Sequence, residues 1–253
     1  MQQNPIERRP QAPKIPKRIK AVVFDLDGTL VDSLPDLADS ANAMRASFNL
    51  EPLDEATMAP FMGDGMAMFA RRTLAADGSD KRLGEKGVET ALETFKAEYA
   101  KRLVARTVAF PGTESLLNCL VRRSYTLAVA SNKNERFAIE VLKGTGLLDY
   151  FKLVLGGDSC ANKKPAPDPI EAVEKEFNLK AEEIMLVGDS RNDTLCANNA
   201  GCFAAHVGHG YETAHSILLK TGAQSDLEAQ DFAQLQAMFE ASDGPDSGPD
   251  PMD

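Results

Sequence analysis

Residues 21–32 read AVVFDLDGTLVD. The first four residues are apolar and include two β-branched valines, which is typical of a strand buried on both faces of a parallel sheet. Two carboxylates, Asp25 and Asp27, follow the expected end of that strand, and open α/β sheets bind ligands at this edge. Gly28 is expected to break the strand, and Thr29 supplies a hydroxyl. A strand that ends in this way is suited to binding a divalent cation and attacking a phosphorus atom.

Along the rest of the chain, apolar strand-like runs alternate with helical patterns. Further strands are predicted at residues 125–130, 152–155, 184–187 and 203–207. Two helices are predicted to have their N-caps at Thr113 and Asp168, the latter because Pro169 follows it. Strand–helix alternation predicts an α/β fold, with a Rossmann-like, doubly wound parallel sheet as its core.

One interval departs from this alternation. Residues 35–107 contain apolar side chains at helical spacing and no convincing strand. We therefore expect an inserted α-helical cap subdomain that lies over the carboxyl ends of the strands. The sheet core is assigned to residues 19–34 and 108–235. Residues 1–18 are predicted to be a disordered proline-rich leader, and residues 242–253 a disordered acidic tail.

The composition and net charge of the chain limit the classes of protein to which it can belong. The chain has 253 residues, of which 43% are hydrophobic and 26% charged, as in ordinary globular proteins. A net charge of −10 disfavours duplex nucleic acid as a partner. No apolar run approaches the roughly 18 residues of a membrane span, so no membrane partner is expected. The four cysteines form no C-x-x-C pair, which predicts reduced thiols and a cytoplasmic location. The sequence does not indicate an oligomeric state.

Polar residues also follow three of the other predicted strands. They are Ser131-Asn132, Lys163-Lys164 and the run from Gly188 to Asp193. Each is a weak or moderate signal by itself, since turns, helix caps and solvated lysines give the same patterns. Because the carboxyl ends of parallel strands share one edge, these groups should meet Asp25 and Asp27 there.

This set of groups suits the hydrolysis of a phosphate ester. A carboxylate that attacks a phosphomonoester dianion is repelled by it, and a bound Mg²⁺ removes the repulsion. A lysine and a hydroxyl can hold the remaining phosphoryl oxygens. A carboxyl two residues from the nucleophile can protonate the leaving alkoxide.

Four such signals in this order resemble the motifs of the haloacid dehalogenase-like hydrolase superfamily, over roughly residues 19–235. The matches are Asp25–Asp32, Ser131-Asn132, Lys164 and Gly188–Asp193. The resemblance implies a Rossmann-like sheet with a mobile cap, and one subfamily places a helical cap where residues 35–107 lie.

The resemblance also implies roles. Asp25 would be the nucleophile that forms an aspartyl-phosphate, and Asp27 the general acid and then the base. Mg²⁺ would be held by the Asp25 side chain, the Asp27 backbone carbonyl and Asp189, with Asp193 supporting that shell. The phosphoryl group would be held by Thr29, Ser131, Asn132 and Lys164. Lys164 is preferred to Lys163 because family members place this lysine directly before a Pro-x-Pro run.

Within the superfamily, Asp27 separates the chain from the dehalogenases, which lack a second aspartate there. Residues 162–169 and 188–193 resemble those of bacterial phosphoglycolate phosphatases, which implies 2-phosphoglycolate as the small phosphorylated substrate. In the cap, Gly63, Gly65 and Arg72 resemble that family's Gly-x-Gly loop and following arginine. Arg72 is either a ligand of the substrate carboxylate or an ion-paired helix residue.

Other functions stay open at this point. The same core residues would serve a phosphatase for another sugar or amino-sugar phosphate, or a mutase like β-phosphoglucomutase. A non-catalytic binding protein with this fold would be expected to have damaged motifs, and none is visible.

Overall fold

The computed structural model describes residues 14–242. In this part of the chain the strands are β1 Ala21–Phe24, β2 Val31–Asp32, β3 Val108–Ala109, β4 Thr126–Ala130, β5 Leu153–Leu155, β6 Ile184–Gly188, β7 Phe203–Val207 and β8 Leu227–Ala229. Six of them form one sheet in the order β5-β4-β1-β6-β7-β8. Every neighbouring pair in it is parallel. The order reverses beside β1, which is the arrangement of a doubly wound sheet.

The first predicted strand lies at the centre of this sheet. Phe24, the last residue of β1, is in register with Val129 on one side and Val187 on the other. All four residues of β1 are fully buried, as their apolar character predicts. Asp25 extends the ladder by one bond, since its backbone N–H donates to the Val187 carbonyl at 2.9 Å. The motif acids therefore leave the sheet between the ends of β4 and β6.

The helices are α1 Leu34–Ser47, α2 Glu55–Met58, α3 Met66–Ala75, α4 Ser79–Ala100, α5 Thr113–Arg122, α6 Glu135–Gly144, α7 Asp168–Phe177, α8 Arg191–Ala200, α9 Ala214–Thr221 and α10 Phe232–Glu240. Apolar side chains of the sheet pack into two clusters. Val22 and Phe24 belong to the cluster that includes α5, α6 and α10. Ala21 and Val23 belong to the one that includes α7 and α8. Both faces of the sheet are covered, and the predicted α/β class is confirmed.

Helices α1–α4 form the inserted helical subdomain. They have their own apolar cluster, in which Phe69, Phe95 and Tyr99 pack side by side. The insertion leaves and rejoins the core at a short antiparallel pair, where Val31 of β2 is in register with Ala109 of β3. This pair was not predicted, because two-residue strands carry no periodicity. The three-residue strand β8 was also missed, because an exposed glutamate interrupts its apolar residues.

Both predicted N-caps are wrong by one residue. Thr113 is the first helical residue of α5 and Gly112 is the cap. The Thr113 hydroxyl donates to the Phe110 carbonyl at 2.8 Å. Asp168 is likewise the first residue of α7, and its carboxylate accepts from the Asn162 N–H at 3.0 Å.

The predicted leader and tail fall mostly outside the described residues, which begin at residue 14 and end at residue 242. Ile15, inside the predicted leader, is only 4% exposed and belongs to the main apolar cluster. Over residues 14–242, no helix is both long enough and apolar enough to cross a bilayer.

Candidate active site

Asp25 lies in a buried acidic cluster at the edge of the sheet. Carboxylate oxygens of Asp25, Asp189 and Asp193 all lie within 4.8 Å of one another, and all three residues are buried. Lys164 contacts two of them, with Nζ 2.9 Å from Asp25 Oδ1 and 2.6 Å from Asp193 Oδ1. The cluster of three acids therefore has one ammonium group in contact with two of its members.

The second acid, Asp189, directly follows β6, and the third, Asp193, lies in the first turn of α8. Ser190 is the N-cap of α8, and Asp193 accepts from the Ser190 N–H at 3.0 Å and from its hydroxyl at 2.6 Å. Asp189 accepts from the Thr29 hydroxyl at 2.7 Å and from the Tyr211 N–H at 2.8 Å. Both carboxylates are thus fixed by neutral donors, and Asp193 is also paired with Lys164.

The electrostatics of the cluster favour a bound cation. Burial raises the pKa of Asp25 to about 7, although Lys164 opposes the shift. Burial, with the charges of Asp193 and Asp25, raises the pKa of Asp189 well above its ordinary value. Buried carboxylates that repel one another are the usual environment of a hard divalent cation, which prefers oxygen ligands. The residues present therefore fit a Mg²⁺ ion.

Asp27 has partners different from those of this cluster. Its Oδ1 accepts from the Ser33 hydroxyl at 2.5 Å. Both of its oxygens lie 2.8 Å from Nζ of Lys133, which is buried. The two motif acids therefore occupy separate environments, one beside the acidic cluster and one beside a lysine.

The other predicted phosphate ligands lie close by. Ser131 is 6% exposed, and its Oγ accepts from the Lys133 N–H at 3.2 Å. The Asn132 amide donates to the carbonyls of Gly63 and Lys164 at 3.0 and 2.9 Å. Its Oδ1 is buried and has no partner among the described residues.

Thr29, Lys163 and Lys164 each contact a different group. The Thr29 hydroxyl donates its hydrogen bond to Asp189. Lys164 contacts Asp25, whereas Lys163 Nζ donates to the backbone carbonyl of Asp64 at 2.7 Å. Of the two lysines, it is therefore Lys164 that lies beside Asp25.

A cavity opens between this edge and the cap. Its volume is about 30 Å³, so the cavity is small and only a compact group can enter it in this conformation. It is lined by Asp25, Asp27, Leu37, Met62, Gly63, Gly65, Met66, Phe69, Ser131, Asn132 and Lys133.

The predicted cap residues divide between the cavity and a polar contact outside it. Gly63 and Gly65 belong to the lining, but Arg72 does not. Arg72 forms an ion pair with Asp64 and donates to the Phe61 carbonyl at 3.0 Å. Asp64 also pairs with Arg191 at 2.6 Å.

Three residues at this site were not predicted from the sequence. They are Lys133 beside Asp27, Arg191 beside Asp64, and Tyr211, whose hydroxyl donates to Asp32 Oδ1 at 2.9 Å. Lys133 directly follows Ser131-Asn132, and that adjacency was the available signal. Tyr211 carries no local signal, because its partners lie near the other end of the chain.

Comparison with known proteins agrees with this geometry. The family model described as haloacid dehalogenase-like hydrolase matches residues 22–207. The chain belongs to this family. The matched region runs from β1 to the end of β7 and includes every motif residue of the site.

Curated relatives support the same assignment. A phosphoglycolate phosphatase of Chromobacterium violaceum is 39% identical over 222 residues, which cover 87% of this chain and 96% of the relative. One from Neisseria meningitidis is 40% identical over 198 residues, covering 77% and 83%. The predicted resemblance to phosphoglycolate phosphatases, and with it the class of phosphoric monoester hydrolase, is confirmed.

Solved structures share the fold. A crystal structure of a predicted phosphoglycolate phosphatase from Haemophilus somnus superposes with a TM-score of 0.80 at 31% identity, covering 87% of this chain and 98% of that one. A predicted phosphatase from Clostridium acetobutylicum, at 21% identity and a TM-score of 0.73, covers 88% and 99% and shows the fold alone.

Proposed function

We propose that this protein is a Mg²⁺-dependent phosphatase that hydrolyses 2-phosphoglycolate to glycolate and phosphate through an aspartyl-phosphate. One observation carries the proposal. The Asp25 carboxylate lines a cavity beneath the cap, bound to Lys164 and next to two further buried acids. This arrangement supports a role for Asp25 as nucleophile, with Lys164 as a neighbouring cation and the two further acids as metal ligands.

Asp25 is the attacking group. Its oxygen forms the bond to phosphorus as the bond to the ester oxygen breaks, which leaves the phosphoryl group on Asp25. Lys164 lies 2.9 Å from Asp25, so its ammonium can also hold a phosphoryl oxygen. Ser131 and Asn132 also line the cavity and supply neutral polar contacts.

The metal site would be made by the side chains of Asp25 and Asp189 and the backbone carbonyl of Asp27, with Asp193 supporting them. A bound Mg²⁺ neutralises negative charge shared between these carboxylates and the phosphoryl oxygens. Thr29 contributes by fixing Asp189 through its 2.7 Å hydrogen bond.

Asp27 is the acid and base. It donates a proton to the ester oxygen as glycolate leaves, and it then accepts a proton from the water that attacks the phosphoryl group. Ser33 and Lys133 fix the orientation of its carboxylate. Because Asp25 and Asp27 have different partners, the two aspartates can perform different tasks.

The substrate is inferred from two observations together. The relatives that cover most of the chain are phosphoglycolate phosphatases, and the small cavity beneath the cap suits a small phosphorylated metabolite. A cytoplasmic location stays a prediction from the free cysteines.

A phosphate-release assay over a panel of phosphorylated metabolites tests this function. The panel contains 2-phosphoglycolate, sugar and amino-sugar phosphates, and glucose 1-phosphate as the contrast for a mutase. We expect 2-phosphoglycolate to give the highest kcat/KM with Mg²⁺ and no release with EDTA. Faster release from a sugar phosphate would contradict the substrate, and undiminished release with EDTA would contradict the metal.

A further inference from the structure

Lys133 is a buried cation for which the proposed mechanism has only an orienting role. It is 2% exposed, and its Nζ lies 2.8 Å from both oxygens of Asp27. The ring of Tyr99, from α4 of the cap, lies over Nζ with its centroid 4.8 Å away. Lys133 is thus placed where the core, the cap and the general acid meet.

The cavity offers few charges to a substrate. Among the described residues that line it, Lys133 is the one cation. The cap contributes only apolar side chains and glycines, namely Leu37, Met62, Gly63, Gly65, Met66 and Phe69. Arg72 and Arg191 lie outside the lining and are both paired with Asp64. An anionic group of the substrate other than its phosphate therefore has Lys133 as its cationic partner in the cavity.

The reach of Lys133 matches the length of a short substrate. Asp27 must approach the ester oxygen to protonate it. In 2-phosphoglycolate the carboxylate carbon is two bonds from that oxygen, about 2.4 Å away by ordinary bond lengths and angles. Because Nζ is 2.8 Å from the Asp27 oxygens, a carboxylate so close to the ester lies within hydrogen-bond reach of it. An ammonium has three N–H donors, so it can hold Asp27 and this carboxylate together.

We propose that Lys133 determines specificity by binding the substrate carboxylate. The inference rests on the proposed function and narrows it to phosphomonoesters that carry a carboxylate on the ester carbon. A substrate with a neutral group there would leave a buried N–H without a charged partner, and sites built for a charged or polar partner discriminate strongly in this way.

The test measures two substrates with the wild-type chain and with one variant. Lys133→Met keeps an unbranched side chain and removes the charge. The substrates are 2-phosphoglycolate and 2-hydroxyethyl phosphate, which has CH₂OH in place of the carboxylate. We expect the ratio of their kcat/KM values to fall about tenfold or more in the variant. The control is Lys143→Met, an exposed lysine on α6 that pairs with Glu140, and it should keep the wild-type ratio.

An equal loss on both substrates would overturn the inference, because Lys133 would then act only by positioning Asp27. That result leaves the proposed function standing if the wild-type chain hydrolyses 2-phosphoglycolate. If the wild-type chain releases phosphate from neither substrate, the proposed function fails and this inference fails with it.

The wild-type chain gives a second test that does not depend on how the variant folds. Inhibition by 3-phosphonopropionate is compared with inhibition by propylphosphonate, which lacks the carboxylate. We expect the carboxylate to lower the inhibition constant about tenfold, as one well-placed ion pair does. Equal inhibition constants would contradict a carboxylate site in the cavity.

Discussion

Gly28 lets two separate loops approach each other closely. Its φ is +91°, and a Cβ atom there would lie 2.5 Å from Asp189 Oδ2 and 2.6 Å from the Tyr211 ring. A side chain at this position would therefore push Asp189 out of the acidic cluster. Gly28 therefore contributes to the active site because it has no side chain.

Gly28→Ala should lower kcat/KM about 100-fold, since small displacements of catalytic groups have effects of this size. Its conformational strain should also lower the free energy of unfolding by about 1–2 kcal/mol. Gly201→Ala is the matched control, because Gly201 has a φ of +73° and open space around it. Steady-state kinetics and urea unfolding of both variants separate strain from displacement. Equal activity in the two variants would contradict this role of Gly28.

At the residue scale, the sequence predicted the groups that a motif places side by side. Asp25, Asp27 and Asp189 follow buried strands, and parallel strands place their ends at one edge. Lys133 and Tyr211 act through partners far away in the chain, at Asp27 and Asp32. Such contacts depend on tertiary packing, which no local pattern encodes.

At the element scale, the loop before α3 fastens the cap to the core. Asp64 pairs with Arg72 of the cap and with Arg191 of the core, and it accepts from the Asn192 amide at 2.7 Å. Burial would raise the pKa of Asp64, but these donors hold it below its ordinary value. The contact therefore persists across the neutral pH range.

Asp64→Ala should weaken cap closure and raise KM about fivefold, which corresponds to about 1 kcal/mol for a partly exposed ion pair. Steady-state kinetics with 2-phosphoglycolate checks this. Glu93→Ala serves as the control, since it removes an exposed pair with Lys96 on α4 of the cap. A KM unchanged by Asp64→Ala would show that this contact does not control closure.

Long elements were easier to predict than short ones. β4, β6 and β7 have five residues each and were found within one residue of their ends. β8 has three residues with an exposed glutamate in the middle, so its apolar content is too small to distinguish it from a loop. Two cap helices, α1 and α4, were indicated because apolar residues recur at helical spacing along them.

At the scale of the whole molecule, a buried polar network joins the cap helices to one another. Arg45 on α1 is fully buried. It donates to the backbone carbonyls of Glu51 at 2.7 Å and Thr73 at 2.5 Å, and to the Asp77 carboxylate at 2.6 Å. This one guanidinium joins α1, α3 and the start of α4. A buried charge that loses its only carboxylate partner destabilises the structure around it.

Asp77→Ala should lower the free energy of unfolding by about 1–2 kcal/mol at neutral pH, since the carboxylate is about a third exposed and water replaces part of the contact. Ser79 and Arg45 lower the pKa of Asp77 to about 2 from an ordinary value of 3.8. A lowered pKa stabilises the fold above the unfolded-state value and ceases to do so as the pH falls through the folded-state value. The difference between wild type and variant should therefore be full above pH 4 and shrink toward pH 2.

Urea unfolding of both chains between pH 6 and pH 3 measures that difference. Asp149→Ala, at an exposed acid, is the control and should show little change at any pH. A difference in unfolding free energy between wild type and Asp77→Ala that grew as the pH fell would contradict the assigned role of Asp77.

The central claim is that Asp25 carries the phosphoryl group during turnover. A crystal structure of the protein with Mg²⁺ and beryllofluoride tests it most directly, because beryllofluoride mimics a phosphoryl group on a carboxylate. We predict the adduct on an Asp25 oxygen, with Lys164 in contact with it and a cation bound next to Asp189. An adduct on any other residue, or an adduct at Asp25 with no cation beside it, would contradict the mechanism.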